Sequence, residues 1–377
     1  MLRVLHCLYD DRENPWVGGG GAVRAFEIYR RLTDRVDATL VTGNYPGARH
    51  ETIDGVRYVR VGSPRSYIMS RWTFTRAASR LLADGAYDVG VVDFTVYAPV
   101  RLPADRPVGL TVHHLTGPTA RQRWGRVLGA VIAYAERRLL RRARWVSVVS
   151  DWTGSRLRPL LRPDAWVTRV GNGVPDELFR VRHRDEGYLL FFGRLDLFQK
   201  GIDTLLRALA LLVRERPGLE LRLAGRGKDA ARARALAEEL GIARNVRILG
   251  SVSDTERLAL LAGATIAVMP SRFEGFGLVA AEAMAAGVPL VASTAGALPE
   301  VVGPPEGGVL VPPDDPQALA TAVARLLDSP EQRTALSQSA RRRASAHFSW
   351  DVVAQQHLEF IRRIAADFAG SRSPARP

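Results

Sequence analysis

Residues Ile266–Gly287 read IAVMPSRFEGFGLVAAEAMAAG. Ile266–Met269 is a short apolar run that suits a buried strand, and the stretch beyond Gly277 is rich in good helix formers. Between them lies a turn punctuated by Gly275 and Gly277, whose missing side chains let backbone amides approach a ligand closely. The helix that follows offers unpaired N–H groups and a positive dipole end, a combination that suits a phosphate. Glu274 lies before the helix and Glu282 inside it, so the two need not share a face. One carboxylate can then reach a sugar hydroxyl and the other a ribose, since carboxylates accept paired hydrogen bonds from vicinal hydroxyls. The plain alternative is an ordinary strand–turn–helix with exposed glutamates.

The same alternation of short apolar runs and longer amphipathic segments runs along the whole chain, which argues for βα units and parallel sheets. Strands are expected at Leu2–Leu8, Ala38–Thr42, Val56–Val61, Val89–Asp93, Val108–His113, Trp145–Ser150 and Val167–Val170 in the first half. In the second they are expected at Tyr188–Phe192, Glu220–Ala224, Val246–Leu249, Ile266–Met269, Leu290–Ala292 and Val309–Val311. Helices fill the gaps, among them Ala22–Leu32, Asp203–Val213, Asp229–Leu240, Asp254–Leu261, Val279–Ala286 and Pro316–Leu327. The series breaks within Pro175–Gly187, where polar residues cluster. A chain of 377 residues also exceeds what one core usually serves. The expected division is a first domain over 1–180 and a second over 181–349. Ligands of such open sheets sit beyond the carboxyl ends of the strands.

Composition narrows the class. Hydrophobic content of 46% and charged content of 24% are ordinary for a globular protein. Only the stretch Gly370–Pro377, rich in Ser, Pro and Arg, reads as unstructured. Cys7 is the one cysteine, so no disulfide framework is available and a reducing cytoplasm is expected. Leu2–Leu8 is too short and too soon followed by Asp10, Asp11 and Glu13 to serve as a signal peptide. No uncharged apolar run approaches the roughly 18 residues of a membrane span. The formal charge is +14, and of the 53 basic residues all but Lys200 and Lys228 are arginine. That bias fits a GC-rich genome; the functional readings are an anionic substrate or an acidic membrane surface. No stripe of basic residues with exposed aromatics appears, so nucleic acid is not an expected partner.

Two acids separated by seven residues with GFG between them, E-x7-E, resemble the donor motif of the family-4 glycosyltransferases of GT-B type. A second match precedes it. Phe191–Asp203, FFGRLDLFQKGID, resembles the strand–loop in which an arginine and a lysine grip the donor diphosphate, here Arg194 and Lys200. Fixed cations suit a diphosphate leaving group, whose charge grows as the glycosidic bond breaks. Leu223–Lys228, LAGRGK, is similar to the glycine turn beside the nucleoside, which implies Gly225 and Arg226. Asn245–Ser253, NVRILGSVS, is similar to the segment that walls in the base, which implies Val252. The motif itself implies donor contacts from Gly275, Phe276, Gly277, Leu278, Val279 and Glu282. Gly171–Phe179, GNGVPDELF, resembles the family's interdomain motif but places Pro175 before Asp176. His347–Ile361 resembles a closing helix, over about 350–368, that crosses back to the first domain. The fold implied is α/β: GT-B, two Rossmann-like doubly wound domains facing across a cleft.

In the first half, Gly18–Gly21 fails as a dinucleotide fingerprint. No third glycine falls at the required place, and Thr42-Gly43-Asn44 lacks the acid that would hold a ribose. The fragment GGAVRAF resembles the family's first-loop motif, which implies that Gly20 and Gly21 bring amides near the donor phosphates; a flexible loop is the plain alternative. His113 and His114 end an expected strand at the ligand-binding edge of its sheet. The resemblance selects His113, with a hydrogen bond to the transferred sugar; the alternative is a structural histidine tied to a neighbouring loop. Arg121–Arg142 interleaves arginines with Trp124, Val127, Leu128, Val131, Ile132, Tyr134 and Leu139. It is read either as an amphipathic helix packed on the sheet or as a surface that docks reversibly on anionic lipid.

The resemblance further implies retention at the anomeric carbon, with His113, Arg194, Lys200 and Glu274 as the catalytic set. No D-x-D triplet is present, so no metal and no cofactor are expected. The donor is a nucleoside-diphosphate sugar, UDP being commoner in the family than GDP, and the acceptor a small molecule, glycan or lipid-linked sugar. The actinobacterial cast of the composition suggests antibiotic or cell-envelope biosynthesis. The expected place is the cytoplasm, with the inner face of the membrane as a peripheral site. A nucleotide-sugar epimerase, a glycoside phosphorylase and a nucleotide-sugar-binding sensor without turnover are the competing readings.

Overall fold

In the computed structural model, residues 1–116 and 125–372 are described. They form two compact units: Met1–Asn172 together with the chain from Trp350 onward, and Gly173–Ser349. The chain thus changes unit at Asn172–Gly173, ahead of the boundary expected after residue 180. The short 3-10 helix Asp176–Arg180 accounts for the difference, because it buries Leu178 and packs on the helix Leu278–Ala286 of the second unit. Polar composition marked the following linker and missed this anchor.

The first unit is built on eight strands. These are β1 (Leu2–Cys7), β2 (Val36–Gly43), β3 (Glu51–Ile53), β4 (Val56–Val61), β5 (Val89–Asp93), β6 (Val108–Val112), β7 (Trp145–Val148) and β8 (Trp166–Arg169). Their order is β3-β4-β2-β1-β5-β6-β7-β8, and every pairing is parallel except β3 with β4. The chain runs outward from β1 to β2 and returns to the other side of β1 with β5, so the direction reverses between β1 and β5. Doubly wound sheets bind ligands beyond the strand ends at such a reversal. The loop after β1 is pinned by buried Asp11, which accepts from Arg60 Nε at 2.9 Å and Thr42 Oγ1 at 2.6 Å. Into this unit's core the helix Trp350–Arg372 sends Trp350, Val353, Leu358, Phe360, Ile361 and Ile364.

The second unit holds β9 (Tyr188–Phe192), β10 (Glu220–Ala224), β11 (Val246–Gly250), β12 (Ala264–Met269), β13 (Leu290–Ser293) and β14 (Val309–Val311). All pair in parallel in the order β11-β10-β9-β12-β13-β14, with the reversal between β9 and β12. Several of its helices start where a side-chain cap satisfies one of their first N–H groups. Ser253 and Glu256 form a reciprocal capping box for Asp254–Gly263, and Asp315 caps Pro316–Leu327. The chain enters and leaves this unit side by side, Val174 N–H donating to the Phe348 carbonyl at 2.9 Å. Among the described residues no helix is long and apolar enough to cross a membrane.

Every strand named from the sequence is present within a residue or two. Described elements not named from the sequence include the edge strand β3 and the helices Tyr67–Asp84, Asp151–Leu157, Leu298–Val302 and Pro330–Phe348. The closing helix also runs further than expected, from Trp350 to Arg372.

Candidate functional site

In the second unit the loops that leave β9, β10 and β12 tie to one another at the carboxyl edge of the sheet. Gly193 N–H donates to the Ala224 carbonyl (2.9 Å), Leu195 N–H to that of Arg226 (2.8 Å), and Arg272 N–H to that of Gln199 (3.0 Å). Two glycines make the approach possible. At Gly225 (φ +140°) a Cβ would fall 1.8 Å from the Gly193 carbonyl oxygen, and at Gly201 (φ +64°) one would fall 2.0 Å from that of Pro270. Arg272 splints the same loops from below. Its guanidinium holds the Asp203 carboxylate through both terminal nitrogens at 2.8 Å, and donates to the carbonyls of Leu197 (3.1 Å) and Phe198 (2.8 Å).

That framework delivers Lys200, at the end of the turn Leu197–Lys200, to Glu274. The Lys200 ammonium donates to Glu274 Oε1, which also accepts from Ser271 Oγ at 2.9 Å. The pair stands at the reversal between β9 and β12, Lys200 from the loop after the first and Glu274 from the loop after the second. Both side chains are mostly shielded from solvent. The cation expected for a diphosphate thus pairs with the acid expected for sugar hydroxyls. Glu282 lies elsewhere on the helix Leu278–Ala286, nearly buried, where it accepts from Arg257 Nη1 at 2.7 Å. Burial pushes the Glu282 carboxyl up, and Arg257 opposes that shift without cancelling it.

The other expected donor residues divide. Arg194 is exposed and donates to Gln199 Oε1 at 3.0 Å, so it is turned along its own loop rather than joined to the Lys200–Glu274 pair. Arg226 is exposed too, and Val252 is half-buried in the loop after β11. Phe276 is buried with its ring edge-on to Phe348, a packing role. Gly275 and Val279 are half-buried, while Leu278 is exposed at the first turn of its helix. Gly277 caps that helix in the left-handed conformation (φ +95°), and a Cβ there would strike Leu298.

In the first unit, His113 follows β6 and is partly exposed, its Nε2 2.9 Å from Asp93 Oδ2. Asp93 is the last residue of β5, and its other oxygen lies 3.0 Å from His6 Nε2. Burial would push the Asp93 carboxyl up, but the neighbouring His113 and then His6 hold it well below the usual range. Behind His6 the contacts continue to Tyr29 OH (3.0 Å from Nδ1) and from there to His357 Nε2 (2.9 Å). Gly21 belongs to this pocket: a Cβ on it would lie 3.4 Å from Asp93 Oδ2 and 3.9 Å from His113 Nε2. Gly20 opens the helix Gly20–Arg30 with no described atom within 4 Å of a Cβ built on it, and Gly19 makes room for Asp10, whose carboxyl is pushed up by burial and then by the charge of Asp93.

Reading the sequence passed over Asp93, His6, Ser271, Arg272 and Arg257. Asp93 was legible, since an acid closing an otherwise apolar strand at the ligand edge needs a purpose. The arginines were not, because their partners lie distant in sequence. Arg121, Arg123 and Trp124 of the arginine-rich segment lie outside the described residues. From Arg126 to Leu140 the segment is helical, with Val127 81% exposed and Leu128, Val131 and Tyr134 exposed as well. Among the described residues no group of three or more His, Cys, Asp or Glu could hold a metal ion.

Comparison with known proteins agrees with both halves. The model for "Glycosyltransferase Family 4" matches residues 18–178, and that for "Glycosyl transferases group 1" matches residues 176–343. A GDP-mannose-dependent alpha-(1-6)-phosphatidylinositol monomannoside mannosyltransferase of Mycolicibacterium smegmatis is 31% identical over 317 residues, 78% of this chain and 81% of that protein. An MMP alpha-(1->4)-mannosyltransferase of Mycolicibacterium hassiacum is 44% identical over 200 residues, 52% of this chain and 48% of that one. The matched region thus spans about half the length of several of the curated relatives. Among solved structures, sucrose-phosphate synthase from Thermosynechococcus elongatus superposes with a TM-score of 0.77 at 23% identity, covering 97% of this chain and all of that one. Its likeness shows the GT-B fold of two parallel α/β sheets. With the mannosyltransferase of M. smegmatis aligned along four fifths of its length, this chain belongs to the family-4, group-1 glycosyltransferases.

Proposed function

We propose that the protein transfers a hexose from a nucleoside-diphosphate sugar to a hydroxyl acceptor, with retention at the anomeric carbon and without a metal ion. The observation that carries this reading is the meeting of Lys200 and Glu274 at the strand reversal of the second unit. A diphosphate entering beside Gly275–Gly277 competes for the ammonium of Lys200, and Glu274, so released, accepts hydrogen bonds from the sugar. Arg194, exposed on the same loop, swings from Gln199 to the phosphates. Charge on the leaving diphosphate grows as the glycosidic bond breaks, so both cations stabilise the transition state more than the ground state. The acceptor attacks from the face that the diphosphate leaves, and the departing phosphate takes its proton. His113 hydrogen-bonds a hydroxyl of the transferred sugar.

The family resemblance puts UDP first, while the relative aligned over most of both chains is named for GDP-mannose. UDP-glucose and GDP-mannose are therefore the first two donors to assay. Cytoplasmic location, with peripheral contact on anionic lipid, completes the reading; the exposed apolar residues of Arg126–Leu140 support the contact.

The test is turnover of Lys200→Ala with whichever donor yields free nucleoside diphosphate only when acceptor is added. By analogy with removing one transition-state donor, kcat falls about 100-fold or more. Near-normal kcat removes Lys200 from the chemistry, and binding of nucleotide sugar with no product under any acceptor favours a sensor.

A further inference from the structure

The contacts that end at His113 have a direction. Asp93 is ionised, so it can only accept, and both His113 and His6 must point an Nε2–H at it. His6 is then left with the Nδ1 lone pair, toward which Tyr29 donates its hydroxyl proton. The hydroxyl oxygen of Tyr29 in turn accepts from Nε2–H of His357. Burial, and after it the charge of Arg24, keeps His357 neutral, and among the described residues its wholly buried Nδ1 has no partner. The assignment gives that nitrogen a lone pair, and a lone pair left bare costs less than a buried N–H left bare. Four donors therefore line up toward one carboxylate, from His357 through Tyr29 and His6 on one side and from His113 on the other. The buried guanidinium of Arg24, tied to the carbonyls of Val170 and Gly171, offsets the charge of Asp93.

His113 differs from its partners in being part-exposed, and among the described residues its Nδ1 makes no hydrogen bond. We propose that Asp93 is a positioning residue that fixes His113 as the Nε2–H tautomer and so presents the Nδ1 lone pair as acceptor for a hydroxyl of the sugar. This rests on the role given to His113 in the proposed function. His6, Tyr29 and His357 serve the same end by holding Asp93 in one rotamer. A hydroxyl can donate to such a nitrogen, whereas an analogue lacking it leaves the lone pair unpaired in a partly dry pocket.

The experiment uses the full chain labelled with nitrogen-15 in its histidine rings, with the His113 resonances identified by their loss in His113→Gln. At neutral pH, long-range proton–nitrogen correlation is expected to show His113 protonated at Nε2 and bare at Nδ1. A proton on Nδ1, in either the neutral or the cationic ring, overturns the proposal. Asp93→Asn supplies the kinetic arm. An amide can accept from one ring only and must donate to the other, so one of the two histidines is forced into the opposite tautomer. By analogy with other outer-shell partners, kcat/KM falls about 10- to 100-fold. The Kd for free UDP or GDP stays near that of the wild type, because the side chains expected to hold it belong to the second unit and the first contributes only the backbone amides of Gly20 and Gly21. Equal losses in kcat/KM and nucleotide affinity would mark Asp93 as merely structural. Tyr29→Phe, which spares the His113–Asp93 bond, retains the His113 tautomer and lowers kcat/KM less than Asp93→Asn does. Should Asp93→Asn fail to fold, or the protein transfer no sugar at all, the wild-type spectrum still decides the tautomer.

Discussion

Glu282 and Arg257 show how differently two acids of one motif can be treated. Glu274 shares its proton acceptors with Lys200 and Ser271, whereas Glu282 has a nearly buried guanidinium for a partner. Breaking a buried ion pair by removing one member leaves an uncompensated charge, at a cost of about 3 kcal/mol. Arg257→Ala should therefore lower the unfolding free energy by that order in urea titration at pH 7; no change would show that water replaces the guanidinium. The pH dependence has a definite sign. Burial raises the Glu282 carboxyl above its unfolded value, so the folded chain holds this proton more tightly. Its contribution to stability is complete at low pH and is lost as pH rises from the ordinary glutamate range, about 4.3, through the raised value. In Arg257→Ala the carboxyl climbs further, and the loss extends to higher pH.

At the scale of elements, two helices of the first unit carry exposed apolar side chains. Arg126–Leu140 exposes Val127, Leu128, Val131 and Tyr134 among its arginines, and Tyr67–Asp84 exposes Ile68, Met69 and Trp72, with the guanidinium of Arg76 stacked 3.8 Å from the Trp72 ring. Arginines that flank insertable apolar residues suit an interfacial helix on anionic lipid. Sedimentation with phosphatidylglycerol vesicles should pull down the protein at low salt, and Val127→Asp with Val131→Asp should weaken that binding at least tenfold, about 1.4 kcal/mol. Absence of binding to acidic vesicles disposes of the contact. The second helix was not legible in the sequence. Its apolar residues serve two masters, Phe74, Ala78 and Leu82 the core and the others the surface, so no single stripe stands out. The strands were legible because each is a short apolar run closed by polar residues, as VGVVD is at Val89–Asp93. What periodicity could not supply is which loops meet. Lys200 and Glu274 share a site only because β9 and β12 are neighbours in the sheet, a fact of topology rather than of spacing. Family resemblance supplied that pairing of motifs; it did not supply Asp93, Arg257 or Arg272.

For the whole molecule, the decisive feature is that the two units are not cut from the chain in the same way. Gly173–Ser349 is continuous, while the first unit is completed by the helix Trp350–Arg372. That helix contributes Trp350, Val353, Leu358, Phe360, Ile361 and Ile364 to the core, and His357 to the contacts behind His113. Removing residues from Trp350 onward should leave the second unit cooperative in thermal unfolding and the first aggregated or molten. Each large apolar side chain withdrawn costs about 2–5 kcal/mol, more in sum than a domain's usual margin. A truncated chain that keeps two native transitions would show that the helix is dispensable.

The discontinuity has a consequence for synthesis. Domains commonly mature in the order in which they leave the ribosome. Here the earliest-made half has an uncovered flank until residues 350–372 emerge, so the later-made half can reach its native state first. During that interval the nascent polypeptide displays unpaired apolar surface, a natural substrate for chaperones that shield such patches. Translation pauses late in the message would lengthen the exposure, and supplying the last helix as a separate peptide would shorten it.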